Sequence, residues 1–218
     1  MVKPRLSRLC AVVDVDVAQR AGWAPLDLAS EFLAGGARLL QLRAKSASSA
    51  ELFELAARAR ELAAADHAML IVNDRPDIAR LAGAAGVHVG QDDLAPAAAR
   101  AIVGLEAIVG LSTHTPEQID RAVLAPVSYI AIGPVFGTST KETGYAPVGL
   151  ERVRYAADRA AAHGLDVVAI GGITIERAVD VIRTGAAVVA VIRDLLEGAD
   201  PAARVRAYLR RLAEAGKV

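Results

Sequence analysis

Eight short apolar runs, spaced along 218 residues and separated by stretches of helical character, constrain the fold of this chain more than any other feature. The runs are LCAVVDV (9–15), ARLLQLR (37–43), AMLIVND (68–74), GVHVGQ (86–91), AIVGLS (107–112), SYIAIG (128–133), DVVAIGG (166–172) and AAVVAVI (186–192). They are rich in Val and Ile and apolar almost throughout, the pattern of strands covered on both faces rather than of a sheet with one wet side. The segments between them carry helix punctuation. SSAE (48–51) and TPEQ (115–118) read as capping boxes, the second with Pro116 at the first helical position, where a missing N–H costs nothing. Thr174 is expected to cap the helix that follows, and Gly185 and Gly164 to end helices in the left-handed conformation.

Eight such units predict an α/β chain folded as a (β/α)8 TIM barrel, with an open doubly wound sheet as the competing architecture. No linker, charge block or low-complexity stretch divides the sequence, so residues 1–218 are read as one TIM-barrel domain. A formal net charge of +0 leaves no global field for nucleic acid or an anionic membrane, and any anion site must be local. Aspartates interrupt the N-terminal apolar run, against a signal peptide, and no uncharged run approaches the ~18 residues of a membrane span. The single cysteine, Cys10, cannot form an internal disulfide. The expectation is a cytoplasmic protein with small-molecule partners, no nucleic-acid or membrane partner, and self-association into a homo-oligomer left open.

In such a barrel, chemistry sits where strands end and the following loops begin. Seven successive run ends carry polar groups here: Gln41, Arg43 and Lys45; Asn73 and Asp74; Gln91, Asp92 and Asp93; Ser112 and His114; the loop GPVFGTSTKETGY (133–145); Gly171 and Gly172; and Arg193. Gln41, Arg43 and Lys45 alternate, so an extended segment projects them to one side, where guanidinium and ammonium suit an anion. Asp74 and Asp93 end neighbouring strands. As a pair they suit Mg²⁺ bridging to a diphosphate, the alternatives being that both are helix caps or that Asp92 is the second ligand. The glycines at 171 and 172 allow close approach of a phosphate to backbone N–H groups. The loop at 133–145, with three glycines, hydroxyls and Lys141, is read as a lid over a phosphorylated ligand. His88, set between valines, is expected to be a hydrogen-bonded core residue, and His114 to shape a turn. His67 and His163 are read as surface groups. Ser–His–Asp, CxxC, HExxH and Walker patterns do not occur.

Taken together, QLRAK, IVNDRPDIARLAGAAGVHVGQDDL, VGLSTHT, YIAIGPVFGTSTKETGY and AIGGIT resemble the thiamine-phosphate synthase family, from the second run to the eighth. The resemblance implies a barrel that condenses a hydroxymethylpyrimidine diphosphate with a thiazole phosphate, releasing pyrophosphate with Mg²⁺. It implies catalytic roles for Lys141, Arg43 and Ser112. It also implies that Gln41, Arg43, Lys45, Asn73, Ser112 and Lys141 surround the pyrimidine diphosphate and that Asp74 and Asp93 bind Mg²⁺. On the thiazole side it implies Thr138, Thr140, Gly172, Ile192 and Arg193. Two departures stand out: the family commonly has Ser where Arg193 stands, and LCAVVDVDVA fits the family's opening strand poorly. The related thiazole tautomerases share the barrel and would use a histidine such as His114, but typically lack the full diphosphate and metal set. A phosphate-binding barrel without turnover is the remaining alternative.

Overall fold

The computed structural model describes residues 6–137 and 145–215. Eight parallel strands close into a barrel in sequence order, β1 pairing with β8. They are β1 (Leu9–Asp14), β2 (Leu39–Arg43), β3 (Met69–Asn73), β4 (Gly86–Val89), β5 (Ile108–Thr113), β6 (Tyr129–Ile132), β7 (Asp166–Ile170) and β8 (Val188–Val191). Each coincides with one of the eight apolar runs, and closure rules out the open sheet.

The helices form the outer layer: α1 (Val15–Arg20), α2 (Pro25–Ala34), α3 (Ser49–Ala65), α4 (Pro76–Leu81), α5 (Pro96–Val103), α6 (Pro116–Ala122), α7 (Gly149–Ala161), α8 (Ile175–Arg183) and α9 (Pro201–Glu214). A one-turn 3₁₀ helix, Arg193–Leu196, follows β8. The capping boxes form as expected: Ser48 with Glu51 on α3, and Thr115 with Gln118 on α6. Thr174 departs from expectation. It occupies the N-cap position of α8, but its hydroxyl makes no cap bond, because it is hydrogen-bonded to the Glu176 carboxylate instead. Gly185 and Gly164 end α8 and α7 with φ of 104° and 65°.

Why the apolar runs hide their alternation is visible in the two cores. Leu9, Ala11 and Val13 face the helices, whereas Cys10 and Val12 face the barrel interior; Val189 and Val191 likewise face out, and Val188 and Ala190 in. Both faces are buried, so both are apolar. The inward parity then dictates which residues arrive at the mouth. Continued to the carboxyl ends, it selects Asp14, Arg43, Asn73, His88 and Ser112.

Candidate active site

At the β1–β4 side of the mouth, basic and acidic side chains are already joined. Gln41 Nε2 donates to Asn73 Oδ1 at 3.1 Å, both residues buried. Arg43 Nη1 donates to Asp14 Oδ2 at 2.5 Å, and Asp14 is 2% exposed. Arg43 Nε is buried with no hydrogen-bond partner among the described residues. Lys45 Nζ lies 2.5 Å from Asp74 Oδ2. Asp74 adopts φ 65°, a left-handed conformation that aspartate tolerates better than most residues, and its N–H donates to His88 O at 2.7 Å.

Asp93 is the acid that meets Asp74. Burial pushes the Asp74 carboxyl above the usual carboxylate range, opposed by the hydrogen bond from Lys45 and reinforced by the adjacent Asp93. Asp93 Oδ2 also accepts from Gly90 N at 2.7 Å, while Asp92 is exposed. Neither Asp74 nor Asp93 caps a helix, since the N-caps of α4 and α5 are Arg75 and Ala95. Two touching carboxylates supply hard oxygen donors and carry repulsion that a cation relieves. Among the described residues no group of three or more His, Cys, Asp or Glu gathers as a metal cage. That donor set fits Mg²⁺, which commonly takes one or two carboxylates and completes its shell with water and substrate phosphate.

The β5–β8 side holds a cleft of about 330 Å³, lined by Ser112, His114, Gly172, Arg177, Ile192 and Arg193 among others. Its floor requires glycine. Gly171 (φ 103°) and Gly172 (φ 61°) both lie in the left-handed region; a Cβ would stand 2.6 Å from Pro134 Cα at the first and 2.5 Å from Gly137 O at the second. Arg177, in the first turn of α8, donates to Gly172 O at 3.2 Å and lies 4.7 Å over the Phe136 ring. The turn carrying Arg193 is anchored from behind: Asp194 Oδ2 accepts from Arg204 Nη2 at 2.8 Å and from the Tyr208 hydroxyl at 2.5 Å.

Ser112 belongs to both halves, for it also lines a small cavity of about 30 Å³ inside the barrel with Gln41, His88 and Tyr129. His88 is buried and hydrogen-bonded, as expected, but one of its partners is Ser112 Oγ at 2.8 Å. His114 Nδ1 lies 2.5 Å from Gly133 O and its ring stacks on Tyr145, 3.9 Å between centroids. Thr138, Thr140 and Lys141 lie outside the described residues. Sequence reasoning missed Asp14, Arg177 and Tyr129. Strand parity could have found Asp14, since it shares a barrel face with Cys10 and Val12; nothing in the sequence pairs it with Arg43.

A family model described as thiamine monophosphate synthase matches residues 9–195. A thiamine-phosphate synthase of Koribacter versatilis (strain Ellin345) is 47% identical over 212 residues, 95% of this chain and 97% of that one. Another, of Chlorobium luteolum (strain DSM 273 / BCRC 81028 / 2530), is 39% identical over 209 residues, covering 96% and 94%. Among solved structures, a thiamine phosphate pyrophosphorylase from Pyrococcus furiosus superposes with a TM-score of 0.85 at 28% identity, covering 96% of each chain.

Proposed function

The chain belongs to the thiamine monophosphate synthase family of transferases, and from that premise we propose how it joins 4-amino-2-methyl-5-hydroxymethylpyrimidine diphosphate to 4-methyl-5-(2-phosphoethyl)thiazole. The pyrimidine diphosphate lies over the β2–β4 ends. Gln41 and Asn73 hold the pyrimidine side, Arg43, Lys45 and Ser112 contact the diphosphate, and Asp74 with Asp93 holds Mg²⁺. The thiazole phosphate lies in the cleft against Gly172, Ile192 and Arg193, with Thr138, Thr140 and Lys141 contributed by the 133–145 loop. When bound, Mg²⁺ supplies charge neutralisation at the leaving diphosphate.

The CH2–O bond to the diphosphate breaks first, and pyrophosphate leaves with the electron pair. The pyrimidine methylene becomes a cation stabilised by its electron-rich ring, and the thiazole nitrogen lone pair closes the new C–N bond. No proton needs to move in either step. The protein's task is to hold charge opposite the departing oxygens, align two substrates and exclude water. The observation that carries this reading is the contact of Asp74 with both Lys45 and Asp93 beside a cleft large enough for a second reactant.

What favours the synthase over a tautomerase is the set formed by Arg43, Lys45, Asp74 and Asp93. His114, the residue a tautomerase would use, has Nδ1 2.5 Å from the Gly133 carbonyl oxygen and its ring stacked on Tyr145. The reading treats residues 1–218 as one catalytic domain in the cytoplasm, in keeping with a lone thiol. Among the described residues no helix is long and apolar enough to cross a membrane. The test is turnover with both substrates and Mg²⁺: one pyrophosphate released per thiamine phosphate formed supports it. Conversion of a thiazole carboxylate phosphate tautomer without pyrophosphate release would move the chain to the tautomerases.

A further inference from the structure

We infer that Tyr129 and His88 are positioning residues that hold Ser112 as a hydrogen-bond donor to the departing diphosphate; the inference rests on the proposed role of Ser112 as a diphosphate contact. His88 on β4 and Tyr129 on β6 are separated by β5, yet His88 Nδ1 lies 2.9 Å from the Tyr129 hydroxyl. Gly110 makes this possible. It pairs in register with His88 on one side and Tyr129 on the other, and a Cβ there would overlap the Tyr129 ring and stand 2.6 Å from His88 Nδ1. The other ring nitrogen, Nε2, lies 2.8 Å from Ser112 Oγ. A chain of two hydrogen bonds therefore runs from the barrel interior to a side chain that lines the substrate cleft.

The direction of the chain follows from burial. Tyr129 is 6% exposed and sits among Cys10, Ile71, Ala131 and Val168, and its hydroxyl has no hydrogen-bond partner but His88 among the described residues. A buried phenol hydrogen without an acceptor is costly, so Tyr129 O–H donates to Nδ1. Nδ1 is then the acceptor nitrogen, and the proton of the neutral ring sits on Nε2. Nε2–H donates to Ser112 Oγ and leaves the serine hydrogen to point at a phosphate oxygen. The opposite tautomer would draw the serine hydrogen into the imidazole and turn lone pairs toward an anion. Tyr129 thus sets, through His88, whether Ser112 attracts or repels the leaving group.

Two measurements decide it. In the unsubstituted protein at neutral pH, long-range ¹H–¹⁵N correlation of the His88 ring should report the Nε2–H tautomer; an Nδ1–H ring would overturn the inference whether or not the protein makes thiamine phosphate. In turnover, Tyr129→Phe should lower kcat about 10-fold, the equivalent of one neutral hydrogen bond. The same change in a Ser112→Ala background should alter kcat less than about 2-fold, because the group it positions is gone. His88→Gln, which can still present an amide N–H to Ser112, should retain more activity than His88→Leu. Equal, additive losses in both backgrounds, at unchanged thermal stability, would reduce Tyr129 to a packing residue and sink the proposal. Absence of turnover in the unsubstituted protein would instead count against the proposed function and leave the tautomer measurement to decide the donor chain.

Discussion

The carboxylate of Asp14, at the end of β1, grips the guanidinium of Arg43, at the end of β2, with Nη1 and Oδ2 2.5 Å apart and Asp14 almost wholly buried. The two residues are paired in register across the first strand pair of the barrel. One member of the proposed anion site is thus oriented by an acid that the chain keeps away from water. Asp14→Ala would leave a half-buried guanidinium without its partner, and removing one member of such a pair costs on the order of 3 kcal/mol. The expected result is a clear fall in midpoint of urea unfolding together with weaker pyrimidine diphosphate binding. Stability loss without any change in that affinity would mean the pair is structural alone.

Arg193 lines the cleft proposed for the thiazole phosphate, at a position where the resemblance to the family implies Ser. Its guanidinium, with the Gly171–Gly172 backbone, is placed to grip the thiazole phosphate in the proposed reaction. Arg193→Ser should raise KM for the thiazole phosphate about 10-fold, one charge-assisted contact, while kcat changes little. Steady-state kinetics at saturating pyrimidine diphosphate would check it, and unchanged or improved KM would show that the side chain obstructs instead.

Behind that cleft, the Tyr208 hydroxyl donates to Asp194, and burial, with the Asp194 carboxylate beside it, pushes its pKa far above the ordinary tyrosine value. Among the described residues, Tyr208→Phe leaves the Asp194 carboxylate only Arg204, and it should cost about 1–2 kcal/mol in denaturant unfolding. A loss below about 0.3 kcal/mol would show that the turn after β8 does not depend on this anchor.

Much of this was legible in the sequence because burial on two faces writes itself as continuous apolarity: eight runs became eight strands, and SSAE and TPEQ became two formed capping boxes. Asp74 and Asp93 were legible as a pair because strand order makes their ends neighbours. What stayed hidden was partnership at a distance. Asp14 reads locally as an interruption of an apolar run, and its partner lies 29 residues away. His88 reads as a core histidine, which it is, but no pattern announces that the same ring touches Ser112. Thr174 sits where a cap belongs, yet Glu176 takes its hydroxyl, a local competition that position alone does not reveal.

Burial pushes the Cys10 thiol from its ordinary 9.0 up to about 12. The folded protein therefore keeps the proton that the unfolded chain gives up above pH 9, so this contribution to stability is intact below pH 9 and is lost as pH rises toward 12. Relative to Cys10→Ala, the unsubstituted protein should lose about 1 kcal/mol between pH 8.5 and pH 10. Urea unfolding at the two pH values is the check. A constant gap between the two proteins would contradict a proton retained by burial.

The central claim is that Arg43, Lys45, Asp74 and Asp93 act on one diphosphate, and calorimetric titration of pyrophosphate with and without Mg²⁺ reaches it without requiring turnover. The unsubstituted protein should bind pyrophosphate at least ~10-fold more tightly with Mg²⁺ present, and Asp93→Asn should remove most of that enhancement. Pyrophosphate affinity indifferent to Mg²⁺, or an enhancement that survives Asp93→Asn unchanged, would contradict the claim.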